Sequence, residues 1–367
     1  MNIEQFLQVK GAGWMDSDSP LSDIVMSTRI RLARNLQNYR FPTAYSQSEA
    51  AEIENKLMKV FAESNIPYNF SYFAIKNLTT LQRQILIEKH LISPYLAKME
   101  HTGSVFISPN EYLSVLVNEE DHVRIQSLSP GLDLNAAYQS AIELNQFLEE
   151  RLLFAYDEQF GYLTSCPTNV GTGLRASVMI HLPALTMMKK MNNLIHTLTR
   201  LGMTVRGIYG EGSNNLGNVY QISNQVTLGK SDTLILDELQ EVVEQIVQKE
   251  RSAREELIKR APILLEDRIF RSLGTIQYAR ILSSEEAATC LSNIRFGVDI
   301  GLIKNIPRSR LNECMVLVQP GFIQQFAGTT LQPSERDLYR AKILQQQLLK
   351  INDTKNTLEK GDGSYDV

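Results

Sequence analysis

The chain of 367 residues is 43% hydrophobic and 21% charged, which is ordinary for a folded protein of one or two domains. Its formal net charge of -4 argues against a nucleic-acid coat or a membrane-surface protein, and its apolar runs are too short for a membrane span. Widely spaced cysteines (Cys166, Cys290 and Cys314) and a polar N-terminus without a signal-peptide core predict a cytoplasmic protein without disulfides.

The first third of the sequence predicts strands interleaved with helices. A helix is expected over 46–64, because Ser46 and Glu49 have capping-box spacing and apolar residues recur at the helical period. The other expected elements here are a strand at 24–35, a strand at 70–76, a helix at 79–90 and strands at 104–108, 112–117 and 122–127. The close succession of the last three strands predicts an antiparallel sheet.

The rest of the chain predicts further strands and then helices only. Helices are expected at 133–155, 183–201 and 232–260, strands from Met203 and Val219, and a last helix near Ser334 with Asp337 at capping-box spacing. The predicted fold class is α+β, with an antiparallel sheet flanked by helices plus an all-helical C-terminal domain. The predicted parts are an N-terminal segment 1–23, an α+β body 24–255, a helical domain 256–352 and a disordered tail 353–367.

Two arginines on the first strand are the first candidates for a binding site. Arg29 and Arg31 are two residues apart, so on a strand they point to one side, while Thr28 and Ile30 point to the other. Two adjacent guanidinium groups bind a polyanion well, because each can donate two N–H groups to phosphate oxygens. The alternative is an edge strand with solvated arginines.

Adjacent acidic residues occupy a turn between two predicted strands. The turn 118–122 contains Glu119 and Glu120, and Arg124 follows on the next strand. A carboxylate held at a strand end can accept two N–H groups of a guanidinium and take a proton from it. The alternative is an acidic loop exposed to solvent.

The segment 165–182 combines a thiol, a glycine-rich turn and a cation. Cys166 begins the turn, Gly171 and Gly173 would let the backbone approach a ligand, and Arg175 starts an apolar run. These groups indicate a reaction centre for an anion, and the alternative is a glycine-rich turn joining two strands. A P-loop is rejected because its first glycine is lacking, and a dinucleotide-binding motif is rejected because no βαβ unit is predicted. The sequence also lacks the residue spacings typical of metal ligands.

The common feature of these segments is a set of arginines at strand ends or glycine turns: Arg29, Arg31, Arg124, Arg175 and Arg206. Such fixed cations can hold a nucleoside triphosphate without a P-loop, because phosphoryl transfer depends mainly on positioning and charge stabilisation. The carboxylates among them indicate that the phosphoryl acceptor is itself cationic.

At these positions the sequence resembles the phosphagen (guanidino) kinases, the group of creatine and arginine kinases. The matching motifs are Ser-Thr-Arg-x-Arg at 27–31, Asn-Glu-Glu-Asp-His-x-Arg at 118–124, Cys-Pro-Thr-Asn-x-Gly-Thr-Gly-x-Arg at 166–175 and Arg-Gly at 206–207. Only a short segment precedes Arg29, so the small N-terminal domain of metabolite-using members is not expected, whereas a helical C-terminal domain carries Arg-Asp-Leu-Tyr-Arg-Ala at 336–341. Both departures are typical of the bacterial protein-arginine kinases, the McsB family.

The resemblance implies a role for each matching position. Glu120, beside Glu119, would be the catalytic base, Glu211 would hold the target guanidinium, and Cys166 would orient the acceptor as a thiolate of lowered pKa. ATP with Mg²⁺, the metal coordinated by phosphates and water, would be bound by Ser27, Thr28, Arg29, Ile30, Arg31, His90, Arg124, Arg175, Ala176, Ser177, Val178, Met179, Arg206, Gly207, Ile208, Tyr209, Gly210 and Glu211. An allosteric phosphoarginine site is implied at Arg336, Asp337, Arg340 and Ala341, where the alternative is an ordinary surface salt-bridge triad.

The function that the resemblance implies is transfer of the ATP γ-phosphoryl group to arginine side chains of proteins. The implied partners are the McsA activator, the CtsR stress-response repressor and the ClpC–ClpP protease, which would degrade the marked proteins. A homodimer or larger assembly through the helical domain is also expected, without direct contact to nucleic acid or membrane. The alternatives are a kinase of free arginine or another small guanidino metabolite, and a non-catalytic regulatory adaptor.

Overall fold

The computed structural model describes residues 2–8, 15, 19–63, 66, 68–100, 102–207 and 216–356, with side chains described as far as residue 348. The described residues form an eight-stranded sheet and a separate two-stranded hairpin, and every paired strand is antiparallel to its neighbour. The strands are β1 (Val25–Arg34), β2 (Ser71–Ala74), β3 (Ser104–Ile107), β4 (Leu113–Val117), β5 (Val123–Pro130), β6 (Tyr156–Asp157), β7 (Gly161–Tyr162), β8 (Leu174–His181), β9 (Met203–Arg206) and β10 (Val219–Asn224). Their order in the large sheet is β2-β3-β4-β5-β1-β8-β10-β9.

Helices occur between these strands along the chain, and the chain after β10 forms only helices as far as the structure describes it. They are α1 (Ile3–Phe6), α2 (Gln47–Phe61), α3 (Thr80–Glu88), α4 (Leu134–Glu149), α5 (Pro183–Met187), α6 (Met191–Arg200), α7 (Asp232–Arg260), α8 (Pro262–Tyr278), α9 (Ser284–Asp299), α10 (Arg308–Leu317), α11 (Pro320–Ala327) and α12 (Pro333–Asn356). The predicted capping box of α2 is present, since the Ser46 hydroxyl accepts the Glu49 N–H and the Glu49 carboxylate accepts the Ser46 N–H. The α+β fold with a helical C-terminal part is confirmed. Among these described helices, none is both long and apolar enough for a bilayer span.

Three predicted helices differ from the observed ones, one by an internal break and two at an end. The helix expected over 183–201 is two helices, because Lys189 adopts a left-handed conformation (φ 58°) between α5 and α6. The helix expected over 133–155 ends at Glu149. The predicted Ser334–Asp337 capping box is wrong, because α12 begins at Pro333 and the Gln332 N–H donates to the Glu335 carboxylate.

The chain divides into two compact units. The first comprises Met1–Leu182, Lys189–Asn214 and Val219–Lys249, and the second comprises Pro183–Met188, Asn215–Asn218 and Glu250–Val367. The predicted domain boundaries stay predictions, and of the predicted disordered tail the structure describes only the backbone as far as residue 356.

The two faces of the large sheet differ in chemistry. Alternate residues of its central strands, such as Ile30, Ile125 and Val178, are fully buried on the apolar face, where α4 packs against β1 and β5. The intervening residues on the other face are mostly polar or charged. This second face carries the candidate active site.

Candidate active site

The polar face of the sheet brings the predicted arginines together. In the antiparallel register, Arg31 on β1 lies opposite Arg175 on β8, and Arg29 lies opposite Ser177. Residues that directly oppose each other in adjacent strands share a face of the sheet. This face forms a cleft whose lining includes Ser27, Arg29, Arg31, His90, Ser93, Arg124, Gln126, Ser177, Met179, Arg206 and Gln221.

Hydrogen bonds to β10 fix two of these arginines. The Arg29 Nη2 donates to Gln221 Oε1 at 2.8 Å, and the Arg175 Nη2 donates to Ser223 Oγ at 3.2 Å. Gln221 itself lies opposite Arg206 in the pairing of β10 with β9. The guanidinium groups are therefore set by strand register and by short polar side chains, so little reorganisation is needed when an anion binds.

The positive charges in the cleft act on one another. Withdrawal from water, together with the charges of Arg175 and Arg124, lowers the pKa of Arg29 to about 10. Withdrawal from water and three neighbouring arginines likewise lower the pKa of Arg31. Burial, followed by the charge of Arg29, lowers the pKa of His90 to about 3, so this imidazole is neutral at pH 7. A bound polyanion would relieve this repulsion, which is the behaviour expected of a phosphate site.

The three acids of the turn between β4 and β5 have different environments. Glu119 is buried, accepts a hydrogen bond from the Ser93 hydroxyl, and lies 2.5 Å from Arg124 Nη1. Asp121 is fully buried, and its Oδ1 accepts hydrogen bonds from Asn35 Nδ2 and the Ser165 N–H, each at 2.7 Å. The Glu120 side chain is 43% exposed, with its Oε2 at 2.6 Å from Arg124 Nη2. Of the three, Glu120 is thus the carboxylate that an incoming substrate could reach.

Arg124 joins this acidic turn to the cleft. Burial alone would lower the pKa of Arg124, but the charges of Glu119, Glu120 and Asp121 raise it above its ordinary value. Arg124 therefore stays charged and holds the positions of both Glu119 and Glu120. In this arrangement Glu119 is a partner of Arg124, although the sequence analysis grouped it with the catalytic residues.

The thiol segment lies against the same turn. The Ser165 N–H donates a hydrogen bond to the Asp121 carboxylate. Cys166 therefore directly follows a residue that is bound to the acidic turn. Cys166 is half-buried, and its Sγ lies 3.1 Å from Thr168 Oγ1. The Thr227 hydroxyl lies within hydrogen-bond distance of the Thr168 carbonyl (2.9 Å) and the Val170 carbonyl (2.7 Å), which fixes the following turn.

The two glycines of this segment allow neighbouring protein segments to pack closely. Gly171 (φ 113°) and Gly173 (φ 64°) both have positive φ, and a side chain would collide with protein backbone at each. A Cβ at Gly171 would lie 2.7 Å from the Thr227 carbonyl oxygen, and one at Gly173 would lie 2.6 Å from the Ala33 carbonyl oxygen. The glycines therefore permit close packing of protein segments, and the expectation that their backbone also approaches a ligand stays a prediction.

Four predicted ATP-binding side chains lie on the other face of the sheet. Strand alternation turns Thr28, Ile30, Ala176 and Val178 away from the cleft, and all four are buried. The Thr28 hydroxyl, for example, donates to the Gly131 carbonyl at 2.7 Å. The prediction that they line the ATP site is corrected accordingly, because a motif match does not distinguish the two faces of a strand.

Of the predicted site residues 206–211, the structure describes the first two. Arg206 lines the cleft and Gly207 is buried directly after β9. The predicted site residues Ile208, Tyr209, Gly210 and Glu211 lie outside the described residues. Their predicted roles stay predictions.

Three polar residues of the cleft were missed in the sequence: Ser93, Gln126 and Gln221. Gln221 and Ser223 alternate with the apolar Tyr220 and Ile222 on β10, and this pattern could have identified the polar face of that strand. Ser93 lies in an irregular segment whose local sequence gives no such signal.

The predicted phosphoarginine site is largely engaged within the protein. Arg340 is 2% exposed, and it donates to the Val318 carbonyl (3.1 Å), the Leu282 carbonyl (2.7 Å) and the Asp337 carboxylate. Ala341 is buried, and Arg336 Nη1 lies 3.4 Å from the Leu331 carbonyl. The Arg340–Asp337 ion pair of the salt-bridge alternative is present, but its arginine is buried and not at the surface, and phosphoarginine binding here stays a prediction.

Comparisons with known proteins agree with this geometry. Residues 52–253 match the family model of the ATP:guanido phosphotransferase C-terminal catalytic domain, and residues 262–359 match that of the protein-arginine kinase McsB C-terminal domain. The chain is 49% identical to the protein-arginine kinase of Geobacillus sp. (strain WCH70) over 350 residues, 95% of this chain and 97% of the relative. It is equally similar to the protein-arginine kinase of Bacillus cereus (strain B4264), at 49% identity over 95% of this chain and 99% of the relative.

A solved structure supports the same assignment for the fold. The duplicated taurocyamine kinase from Schistosoma mansoni is 25% identical, with a TM-score of 0.58 over 73% of this chain and 39% of that chain. The resemblance seen in the sequence motifs is confirmed by these matches over nearly the whole chain. The chain therefore belongs to the protein-arginine kinase family of ATP:guanido phosphotransferases.

Proposed function

We propose that this chain transfers the γ-phosphoryl group of ATP to arginine side chains of proteins. The observation that carries the proposal is the junction of the arginine cleft with the acidic turn. At this junction Glu119 and Asp121 are buried, while Glu120 is 43% exposed. A phosphoryl donor and a cationic acceptor would therefore meet at Glu120.

The cleft would bind the triphosphate of ATP through its arginines. Arg29, Arg31 and Arg175 lie on adjacent strands of one sheet, and Arg124 and Arg206 complete the set of cations. Mg²⁺ bound to the phosphates and water would add further neutralisation of their charge. Glu119 and Asp121 already bind protein groups, which suits a metal carried by its nucleotide.

The acidic turn would act on the acceptor. A guanidinium has a pKa above about 12, so its nitrogen offers no free lone pair at neutral pH. Glu120 would take a proton from the attacking nitrogen as the bond to phosphorus forms and the bond to the ADP oxygen breaks. The arginines would neutralise the charge on the transferred group, Cys166 would orient the acceptor, and Glu211 would hold its guanidinium.

The wider biological setting rests on the family resemblance. We propose the McsA activator, the CtsR repressor and the ClpC–ClpP protease as partners, with degradation of marked proteins and control of a stress response as outcomes. Assembly as a homodimer or larger oligomer through the helical unit, feedback by phosphoarginine, and a cytoplasmic location belong to the same proposal.

The test compares a protein acceptor with a free one. Incubation with ATP and Mg²⁺ plus casein should yield phosphate on arginine residues by mass analysis, in a form that is lost in acid where serine esters survive. Free arginine should be a poor substrate. Fast turnover of free arginine without protein labelling would indicate a kinase of small guanidino metabolites, and nucleotide binding without turnover of either would indicate a regulatory adaptor.

A further inference from the structure

We infer that Asn35 is a positioning residue of this site, whose side-chain amide holds the acidic turn and the thiol segment in one geometry. The inference rests on the proposed function and deepens it. Asn35 follows the last residue of β1, is 1% exposed, and matches none of the residues predicted to bind ATP or to catalyse transfer.

The Asn35 side chain uses both its acceptor and its donor group. Its Oδ1 accepts the backbone N–H of His122 at 2.9 Å. Its Nδ2 donates to Asp121 Oδ1 at 2.7 Å and to the Leu163 carbonyl at 3.1 Å. A single amide thus binds the acidic turn through two adjacent residues and also binds the segment that leads into Cys166.

Asp121 links Asn35 to the thiol segment. Its Oδ1 accepts both the Asn35 amide and the Ser165 N–H, each at 2.7 Å. Its Oδ2 is buried and has no hydrogen-bond partner among the residues that the structure describes. The buried carboxylate therefore depends strongly on these two donors.

The covalent neighbours of this contact are the two residues that act on the acceptor in the proposed function. Glu120 directly precedes Asp121, and Cys166 directly follows Ser165. A change at Asn35 should consequently displace the base relative to the thiol that orients the acceptor. A displacement of about 1 Å in an active site can cost roughly 10²-fold in rate, even when the residue never touches the substrate.

A pair of reciprocal substitutions tests this link. N35D keeps the acceptor for His122 but replaces the donor to Asp121 with a second carboxylate, so we expect kcat to fall about 10²-fold with little change in the KM for ATP. D121N should have a small effect, since an amide oxygen can still accept both N–H groups. The double variant N35D/D121N again has a single carboxylate at this contact, so the repulsion between the two buried carboxylates of N35D is removed, while the introduced amide oxygen can still accept the Ser165 N–H. We expect at least about a tenfold recovery of kcat over N35D.

Alkylation of Cys166 by iodoacetamide supplies a readout that is independent of turnover. Cys290 and Cys314 are 6% and 0% exposed, so the fast phase reports on Cys166. We expect the alkylation rate to change several-fold in N35D and to return toward the parent value in the double variant. The matched control is N293D, which removes a buried amide donor to Ser272 within the helical unit and should leave the rate at Cys166 unaltered.

The double variant decides the outcome. A folded double variant that is clearly more active than N35D supports the link, even if N35D itself folds poorly. A double variant no more active than N35D, or an N35D enzyme with the parent's kcat and alkylation rate, overturns it. Failure of the parent enzyme to phosphorylate protein arginine would instead contradict the proposed function, and the alkylation series would still test the Asn35 contact.

Discussion

Two arginine clusters in this chain differ in their balance of charge. In the cleft, arginines face one another across adjacent strands, and burial, followed by their mutual repulsion, lowers the pKa values of Arg29 and Arg31. In the helical unit, arginines surround the buried Asp299: Arg308 Nε lies 2.6 Å from its Oδ1, and Arg254 and Arg295 lie 3.9 Å from its Oδ2. Arg254 also contacts the buried Glu250 at 3.1 Å.

The difference separates a binding site from a structural network. The helical cluster contains its own counter-charges, so its arginines stabilise the arrangement of α7, α9 and α10. The cleft cluster has an excess of positive charge that an anionic ligand would compensate. Arginine count alone would not distinguish the two, whereas the position of the carboxylates does.

The largest expected effect is that of Arg31→Met in the cleft. This substitution should lower kcat/KM for phosphoryl transfer by about 10³-fold or more, because it removes a cation that compensates the transferred phosphate. The melting temperature without nucleotide should stay the same or rise, since a like charge has been removed. A marked loss of stability in the nucleotide-free variant would mean that the cleft cluster is structural.

Arg308→Met provides the opposite case in the helical unit. It removes the 2.6 Å partner of the fully buried Asp299, so we expect a loss of about 3 kcal/mol in the free energy of unfolding. Urea denaturation measures this loss. The KM for ATP of the folded variant should match that of the parent, and a raised KM with unchanged stability would break the comparison.

Nucleotide should stabilise the protein through the cleft. At a concentration of about a hundred times its Kd, ATP should add about 2.7 kcal/mol to the free energy of unfolding. Thermal melts with and without ATP should show this shift in the parent and in Arg308→Met. A shift of equal size in Arg31→Met would show that the triphosphate binds elsewhere.

His90 gives the smallest expected effect, on the pH dependence of stability. Its pKa is lowered to about 3 in the folded protein from an ordinary value of 6.5, so between these values the unfolded chain binds a proton that the folded protein does not. Stability should therefore fall as the pH falls through this window. His90→Gln should remove about 1–2 kcal/mol of that loss between about pH 6.5 and pH 5 in urea titrations.

The remaining acid sensitivity has a second source. Burial is the main cause that lowers the pKa of His122 to about 4, and this histidine accepts the Leu36 N–H at Nδ1, a bond that protonation would break. His90→Gln should therefore keep part of the fall in unfolding free energy that accompanies a fall in pH. An unchanged slope in His90→Gln would show that the cleft charges do not act on His90 as described.

Much of the cleft could be predicted because strand alternation is local information. The spacing of Arg29 and Arg31 placed both side chains on one face, and the same rule places Thr28 and Ile30 on the other. The family motif gave positions but not faces, so it included residues whose side chains point away from the cleft. Applying the alternation rule to the whole motif would have corrected this.

Other features depend on contacts between distant parts of the chain. Position 171 requires glycine because the Thr227 carbonyl lies where a side chain would be. Asn35 likewise binds Asp121, which is distant from it in sequence. The separate environments of Glu119, Glu120 and Asp121 also arise from Ser93, Arg124 and Asn35. Neither periodicity nor spacing within one segment contains this information.

The most direct test of the central claim measures nucleotide binding and phosphoarginine formation together in Glu120→Ala. If Glu120 deprotonates the acceptor, this variant should bind ATP as the parent does and form essentially no phosphoarginine on a protein substrate. Protein labelling by Glu120→Ala at the parent's rate would contradict the account.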